Sequence, residues 1–170
     1  MSSTCCAASR VNTLDKEFRQ NATSRKKKKR SAKTSTSDAV SLSGATFLMG
    51  TEDDLGFPED GEGPIREVNV GPFKIDKTAV TNAQFSRFTK DTGYKTEAEL
   101  FGWSFVFHSF VPEETATQIE RTVAITPWWW PVDGAYWAKP EGSKSSISKR
   151  WDHPAVHISW NDANKYCEWS

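Results

Sequence analysis

Hydrophobic and polar positions follow several distinct rhythms after residue 40. Ala45-Thr-Phe-Leu-Met-Gly50 predicts a short strand closed by a glycine turn. Thr51 to Pro64 is acidic, carries Gly56, Pro58, Gly61, Gly63 and Pro64, and predicts a loop. From Ile65 to Asp76 the apolar positions Ile65, Val68, Val70, Phe73 and Ile75 alternate in part, broken by Gly71-Pro72. Two strand pieces with a bulge or bend between them are expected.

Helical signals come next. Thr81-Asn-Ala-Gln84 reads as a capping box, in which hydroxyl and amide satisfy each other's orphan backbone donors. Val80 and Phe85 stand where a hydrophobic staple forms, Phe85 and Phe88 share a face, and Gly93 offers a left-handed stop, so a helix is predicted over about 82–91. Pro112 suits a first helical turn, and Ala116, Ile119 and Val123 predict a second helix ending before Pro127. A third starts near Ser159, with Trp160, Ala163 and Cys167 on one face. It reaches Ser170 without Gly, Pro or a terminal basic residue, so this apolar face is expected to pack on further chain of a longer domain. Short strands, isolated helices and aromatic loops, without repeats or sustained α/β alternation, predict an irregular α+β domain.

Composition divides the 170 residues in two. Residues 1–40 hold ten Lys/Arg against Asp15, Glu17 and Asp38, a net of +7, so the rest carries −7 and the whole sums to zero. All eight Trp, all three Tyr and nine of ten Phe lie beyond residue 40. Residues 1–42 are therefore expected to be a disordered basic arm, unable to bury enough apolar area to offset chain entropy. The run Lys26-Lys-Lys-Lys-Arg30 is either a nuclear address, a contact for an acidic surface, or a solvated tail. The start of the chain shows no apolar signal-peptide core, and no stretch is long enough to span a membrane. Asn21-Ala-Thr23 is a glycosylation sequon that matters only in a secretory setting. Three cysteines make no disulfide framework: Cys5 and Cys6 are adjacent in the arm, and Cys167 stands alone in the body.

Candidate chemistry is sparse. His153 and His157 would face one side of a strand that Pro154, Val156 and Ile158 suggest, which is compatible with a metal. Zinc wants three or four converging ligands, only Asp152 stands near, and ordinary core or surface histidines are the expectation. Gly61-Glu-Gly63-Pro64 is a turn, not a phosphate loop, and no sequence forms a nucleophile elbow. The basic arm lacks interleaved aromatics, so specific nucleic-acid reading is not expected. The aromatic runs stand out. Thr96-Glu-Ala-Glu-Leu-Phe-Gly-Trp-Ser-Phe-Val-Phe107 is either a buried strand or a surface for a partner. Trp128-Trp-Trp130 cannot all face one core in a strand, so at least one ring should reach a surface or groove.

Several stretches together resemble the formylglycine-generating enzyme, or sulfatase-modifying factor, family. They are GATFLMGT (44–51), DGEGPIREV (60–68), PFKID (72–76), VTNAQFSRF (80–88), TEAELFGWSFVF (96–107), PWWWPV (127–132) and HPAVHISWNDANKYCEW (153–169). They occur in family order over 43–170, which is expected to be the N-terminal part of such a domain. The resemblance implies an irregular α+β fold related to C-type lectins. Active members convert the cysteine of a CxPxR motif in new sulfatases to formylglycine in the endoplasmic reticulum lumen. They use oxygen and a copper ion held by two cysteines that lie past the position matching 170, as do the family's calcium sites. No catalytic residue, copper ligand or calcium ligand is therefore assigned in this chain.

What the resemblance does assign is one wall of a peptide groove: Ala98, Phe101, Ser104, Trp128 and Pro131 match positions that line or flank it. Trp103 departs from the pattern. Active members resemble FGDSFVF, whose acid helps hold the substrate arginine, whereas FGWSFVF is closer to the non-catalytic paralogue that binds sulfatases and the active enzyme. The lost charge-assisted contact is typically worth about 1.5–3 kcal/mol. Cys167 matches a cysteine that the family pairs with one nearer its C-terminus. The expectation is a truncated, non-catalytic, sulfatase-binding domain, with sulfatases, their peptides or the active enzyme as partners. Two alternatives stand beside it: the front half of an active oxidase, and an unrelated binding module on the same scaffold. The lumen is the implied location, and a cytosolic or nuclear form carried by the basic arm is its rival.

Overall fold

The computed structural model describes residues 39–53, 55, 57, 60–120, 124 and 126–170. Asn21, Cys5, Cys6 and the basic run lie outside the described residues. The chain begins with β1 (Ala39–Leu42) and β2 (Ala45–Met49), followed by β3 (Arg66–Val70) and β4 (Phe73–Asp76). The predicted strand and both strand pieces are present. β2 pairs antiparallel with β3, and β1 with β4. Leu42 faces Phe73 and Ala45 faces Val70, so one register runs unbroken through the break at Gly71-Pro72. The interruption is a bend of both strands without a bulge. Gly44 sits at that bend with φ 80°, where a Cβ would lie 2.4 Å from the Val70 carbonyl oxygen. Residues 39–42, assigned from composition to the arm, thus form β1 at one end of this ribbon, paired with β4.

α1 (Asn82–Thr92) begins at the capping box expected of Thr81 and Gln84 and ends on Gly93, φ 70°, whose N–H bonds to Thr89. It buries Phe85 and Phe88. α2 (Glu97–Phe101) is a short helix opened by a second capping box, Thr96 with Glu99, and turned out of by Gly102 at φ 78°. β5 (Trp103–Phe107) follows at once and pairs antiparallel with β6 (Trp129–Asp133). The long second helix expected after Pro112 is only α3 (Glu113–Ala116). Isolated turns continue to Ile119, which packs beside Val106, Val132 and Ala135, and Val123 lies outside the described residues.

α4 (Trp160–Trp169) starts at Ser159 as expected; the apolar face read from sequence lies open among the described residues, and a different face meets α1. Tyr166 and Asp162 are buried, whereas Trp160 is 79% exposed and Cys167 is exposed. The core face is fixed by what α1 offers. Phe85 stacks on Tyr166 with centroids 5.9 Å apart and meets Phe88 and Trp137 edge-on at 5.3 and 5.4 Å. Ile147 completes this cluster. Each well-placed aromatic pair adds about 0.5–1.5 kcal/mol beyond its buried area. The architecture is a mixed helix and strand arrangement with three two-stranded sheets among the described residues, in line with α+β.

Candidate functional site

The groove residues expected from resemblance cluster around α2 and the β5–β6 hairpin. Ala98 is buried within α2, and Phe101 ends it half-buried. Gly102 allows the sharp exit, and its carbonyl accepts a 2.7 Å bond from the Gly134 N–H, so the start of β5 is clamped to the end of β6. Alternation then sorts the hairpin into two faces. Ser104 and Val106 point inward with Val132, all three buried. Trp103, Phe105 and Phe107 share the other face with Trp129, Pro131 and Asp133. Ser104 and Pro131 therefore belong to opposite faces of one hairpin.

The outer face is an aromatic strip. Trp103 meets Phe105 edge-on at 5.1 Å, and Phe107 meets Trp129 at 5.8 Å and Phe110 at 6.0 Å. The three consecutive tryptophans divide as expected: Trp128 is exposed, while Trp129 and Trp130 are half-buried. The Trp130 indole N–H donates to the Pro127 carbonyl at 2.9 Å, which holds the turn into β6. Beside this face lies a cavity of about 270 Å³ lined by Pro131, Asp133, Glu114, Glu120 and Lys144 among others. Of Ala98, Phe101, Trp103, Ser104, Trp128 and Pro131, only Pro131 lines it. The Lys144–Glu114 pair at 2.7 Å is exposed and contributes little to stability.

The histidines do not form a strand. Pro154 makes a single bridge with Thr81, and His157 adopts a left-handed conformation at φ 58°, which ends any extended run. His157 Nδ1 lies 3.0 Å from the Ser104 hydroxyl and Nε2 lies 2.8 Å from the Pro140 carbonyl oxygen. Both ring nitrogens are thus engaged in the protein. Among the described residues no three His, Cys, Asp or Glu side chains converge as metal ligands. Cys167 is exposed, and among the described residues no second cysteine pairs with it. The residues described do not fit a two-cysteine copper site, and no step through copper is derived from them.

Sequence reasoning missed the residue that ties these elements together. The fully buried Asp162 carboxylate accepts from the Tyr94 hydroxyl at 2.9 Å, the Glu97 N–H at 3.1 Å and the Ser159 N–H at 2.9 Å. Burial, then the Asp162 hydrogen bond, pushes the Tyr94 phenol well above its ordinary value. Three other buried side-chain atoms, Asn82 Oδ1, Thr126 Oγ1 and Trp137 Nε1, have no partner among the described residues. The capping pattern of Ser159 with Asp162 was visible in the sequence, but its long-range partners were not.

Comparison with known proteins adds the family context. The profile of the sulfatase-modifying factor enzyme 1-like domain matches residues 24–170. A formylglycine-generating enzyme of Thermomonospora curvata is 54% identical over 131 residues, covering 77% of this chain and 43% of that protein. The mouse protein of the same name is 50% identical, covering 77% of this chain and 35% of its own length. The mouse inactive Cα-formylglycine-generating enzyme 2 is also 50% identical, covering 76% and 41%. The chain spans less than half the length of these relatives, and identity alone does not sort it between the active and inactive branches.

Proposed function

The chain belongs to the sulfatase-modifying factor family, and from that premise we propose that it forms one wall of a groove that receives an extended sulfatase peptide, in the non-catalytic manner. Trp103 carries this reading. It occupies the outer face of the β5–β6 hairpin and packs edge-on against Phe105, so this point of the wall is an aromatic contact in place of a carboxylate. Half-exposed aromatic rings suit peptide binding because they present large apolar area at low entropic cost. Ala98 and Phe101 shape the adjoining wall from α2, and Trp128 offers an exposed ring at the far end. A lectin-related scaffold and a lumenal setting accompany the reading. Titration of the full chain with an unfolded CxPxR peptide tests it: saturable binding supports the groove, and no binding by correctly folded protein refutes it.

The 54% identity to a formylglycine-generating enzyme favours a second reading, the front part of an oxidase. The complete protein carrying this chain would then convert the peptide cysteine to formylglycine. Mass spectrometry of the peptide after incubation separates the two: modification selects the oxidase, and binding without modification selects the non-catalytic form.

A further inference from the structure

We propose that Tyr94 and Asp162 form a proton-coupled redox pair: a one-electron oxidant of the oxygen-radical class draws an electron from the Tyr94 ring through the aromatic cluster, and the phenol proton crosses to Asp162. The oxidisable rings form a connected set. Trp169 lies 5.7 Å from Tyr166 and 5.6 Å from Phe88, and Phe88 lies 5.2 Å from Tyr94, centroid to centroid. On the other side Tyr136 meets Trp137 at 6.3 Å, and Phe85 joins Trp137 to Tyr166 at 5.4 and 5.9 Å. Every step lies within the contact range of aromatic pairs. Trp169 and Tyr136 are half-buried, so an oxidant in solution meets the set at these rims without entering the core.

Trp and Tyr lose an electron more readily than the other aromatic side chains, and an oxidised ring is a strong acid. Where its proton can go decides where the oxidation comes to rest. The buried Trp137 indole N–H has no acceptor among the described residues, so an oxidised Trp137 would hold a positive charge in a core that disfavours it. The Tyr136 and Tyr166 hydroxyls show no acceptor among the described residues either. Tyr94 differs, because its hydroxyl already donates to Asp162 Oδ1 at 2.9 Å and that carboxylate is fully buried. Burial, then the Asp162 bond, keeps the proton on the reduced phenol, so electron and proton leave it together. The step balances within the pair: the phenol O–H breaks, an O–H forms on Oδ1, and the oxidant gains one electron. Phenol and carboxylate become phenoxyl radical and carboxylic acid. The one negative charge of the pair is thereby removed from a buried position, which favours the oxidised state. The new O–H points back at the phenoxyl oxygen, so returning the electron restores the phenol. The Glu97 and Ser159 N–H groups hold the carboxyl in place at 3.1 and 2.9 Å.

The test oxidises the full chain with tris(bipyridine)ruthenium(III), generated by a laser flash with persulfate as electron acceptor. Electron paramagnetic resonance is expected to show a neutral tyrosyl radical that grows in as tryptophanyl signal decays. The infrared difference spectrum should gain the band of a protonated carboxyl, and 13C-labelled aspartate should shift that band, which assigns it to Asp162 over Glu97 and Glu99. Tyr94→Phe keeps the ring and removes the hydroxyl, so it should lose both the tyrosyl radical and the carboxyl band while the tryptophanyl signal persists. Asp162→Asn offers an acceptor that is no base, and should lose the carboxyl band and most of the tyrosyl yield. A tyrosyl signal unchanged in Tyr94→Phe places the radical on another ring and overturns the inference. So does a Tyr94 radical formed without a protonated aspartate, since the proton has then gone elsewhere. Where Asp162→Asn fails to fold, the labelled-aspartate band and the Tyr94→Phe losses decide alone. Neither outcome bears on the peptide groove.

Discussion

The Tyr94 hydroxyl donates a 2.9 Å hydrogen bond to Oδ1 of Asp162, which lies 68 residues further along the chain. The same oxygen accepts from the Glu97 N–H, and the other accepts from the Ser159 N–H, so one carboxylate joins the loop after α1, the start of α2 and the start of α4. Asp162→Ala leaves three partly buried donors without this acceptor and is expected to cost about 3 kcal/mol or more. Urea unfolding of both proteins measures this. A loss below about 1 kcal/mol would mean that the three elements hold together without the carboxylate.

Tyr94 also sets an alkaline limit. Burial first, and the Asp162 bond next, hold its phenol above the ordinary value, and burial raises Tyr136 and Tyr166 as well. In the unfolded chain a phenol loses its proton near pH 10. Above that pH the unfolded state binds fewer protons than the folded one, so stability present below about pH 10 is lost as pH rises toward the folded values. Tyr94→Phe should lower the urea midpoint at pH 8 and make the decline between pH 9.5 and 11.5 shallower. An unchanged slope would mean that Tyr94 does not contribute to the alkaline limb.

The acid side has its own group. Arg150 grips Glu141 through two bonds of 2.6 and 2.8 Å, the charge-assisted fork geometry that carboxylate and guanidinium favour. This hydrogen bonding, opposed by burial, holds the Glu141 carboxyl below its usual range. Its stabilisation is present above about pH 4.3, the unfolded value, and is lost as pH falls through the lower folded one. Glu141→Gln should cost about 1–2 kcal/mol at pH 7 and flatten the stability profile between pH 5 and 3. Equal slopes in the two proteins would assign acid sensitivity elsewhere.

Local signals were legible and distant ones were not. The Thr81–Gln84 box and Gly93 located α1 because both ends are written in adjacent residues. The same T-x-x-E signature at Thr96–Glu99 marks α2, but the aromatic run after it drew attention to a strand. On α4 the hydropathy pattern marks Trp160, Ala163 and Cys167, the face expected to meet further chain. The face buried here, Asp162 and Tyr166, is chosen by Phe85, Phe88 and Tyr94 from elsewhere in the chain. A polar residue at a core position is unreadable without its partners. Likewise the resemblance singled out both Ser104 and Pro131, but only the strand register shows that they face opposite ways.

Two substitutions on α4 test this division of its faces. Tyr166→Ala removes a ring packed against Phe85, Phe88 and Trp169 and should cost about 3–5 kcal/mol. Trp160→Ser touches a ring that is 79% exposed and should stay within about 0.5 kcal/mol. Thiol labelling of folded protein, followed by peptide mapping, should find Cys167 modified as readily as in denaturant, since it is exposed. A large loss at Trp160, or protection of Cys167, would show that this face is covered in solution.

The position of Trp103 yields the most direct test of the groove. Asp133 is its cross-strand partner on the same face, so the hairpin keeps one carboxylate beside the aromatic contact. Trp103→Asp places a second carboxylate there, and two acids side by side favour a guanidinium that can bridge them. The substitution is expected to strengthen binding of a CxPxR peptide by about tenfold or more, and to leave a CxPxA peptide unaffected or weaker through loss of the indole contact. The arginine-minus-alanine difference isolates charge recognition from aromatic packing. Asp133→Asn in the Trp103→Asp background should remove part of the gain if both carboxylates reach the cation. Equal affinity of the two peptides for Trp103→Asp would mean that the outer face of β5 does not meet the arginine. The groove would then have to be sought on the Ser104 side of the hairpin.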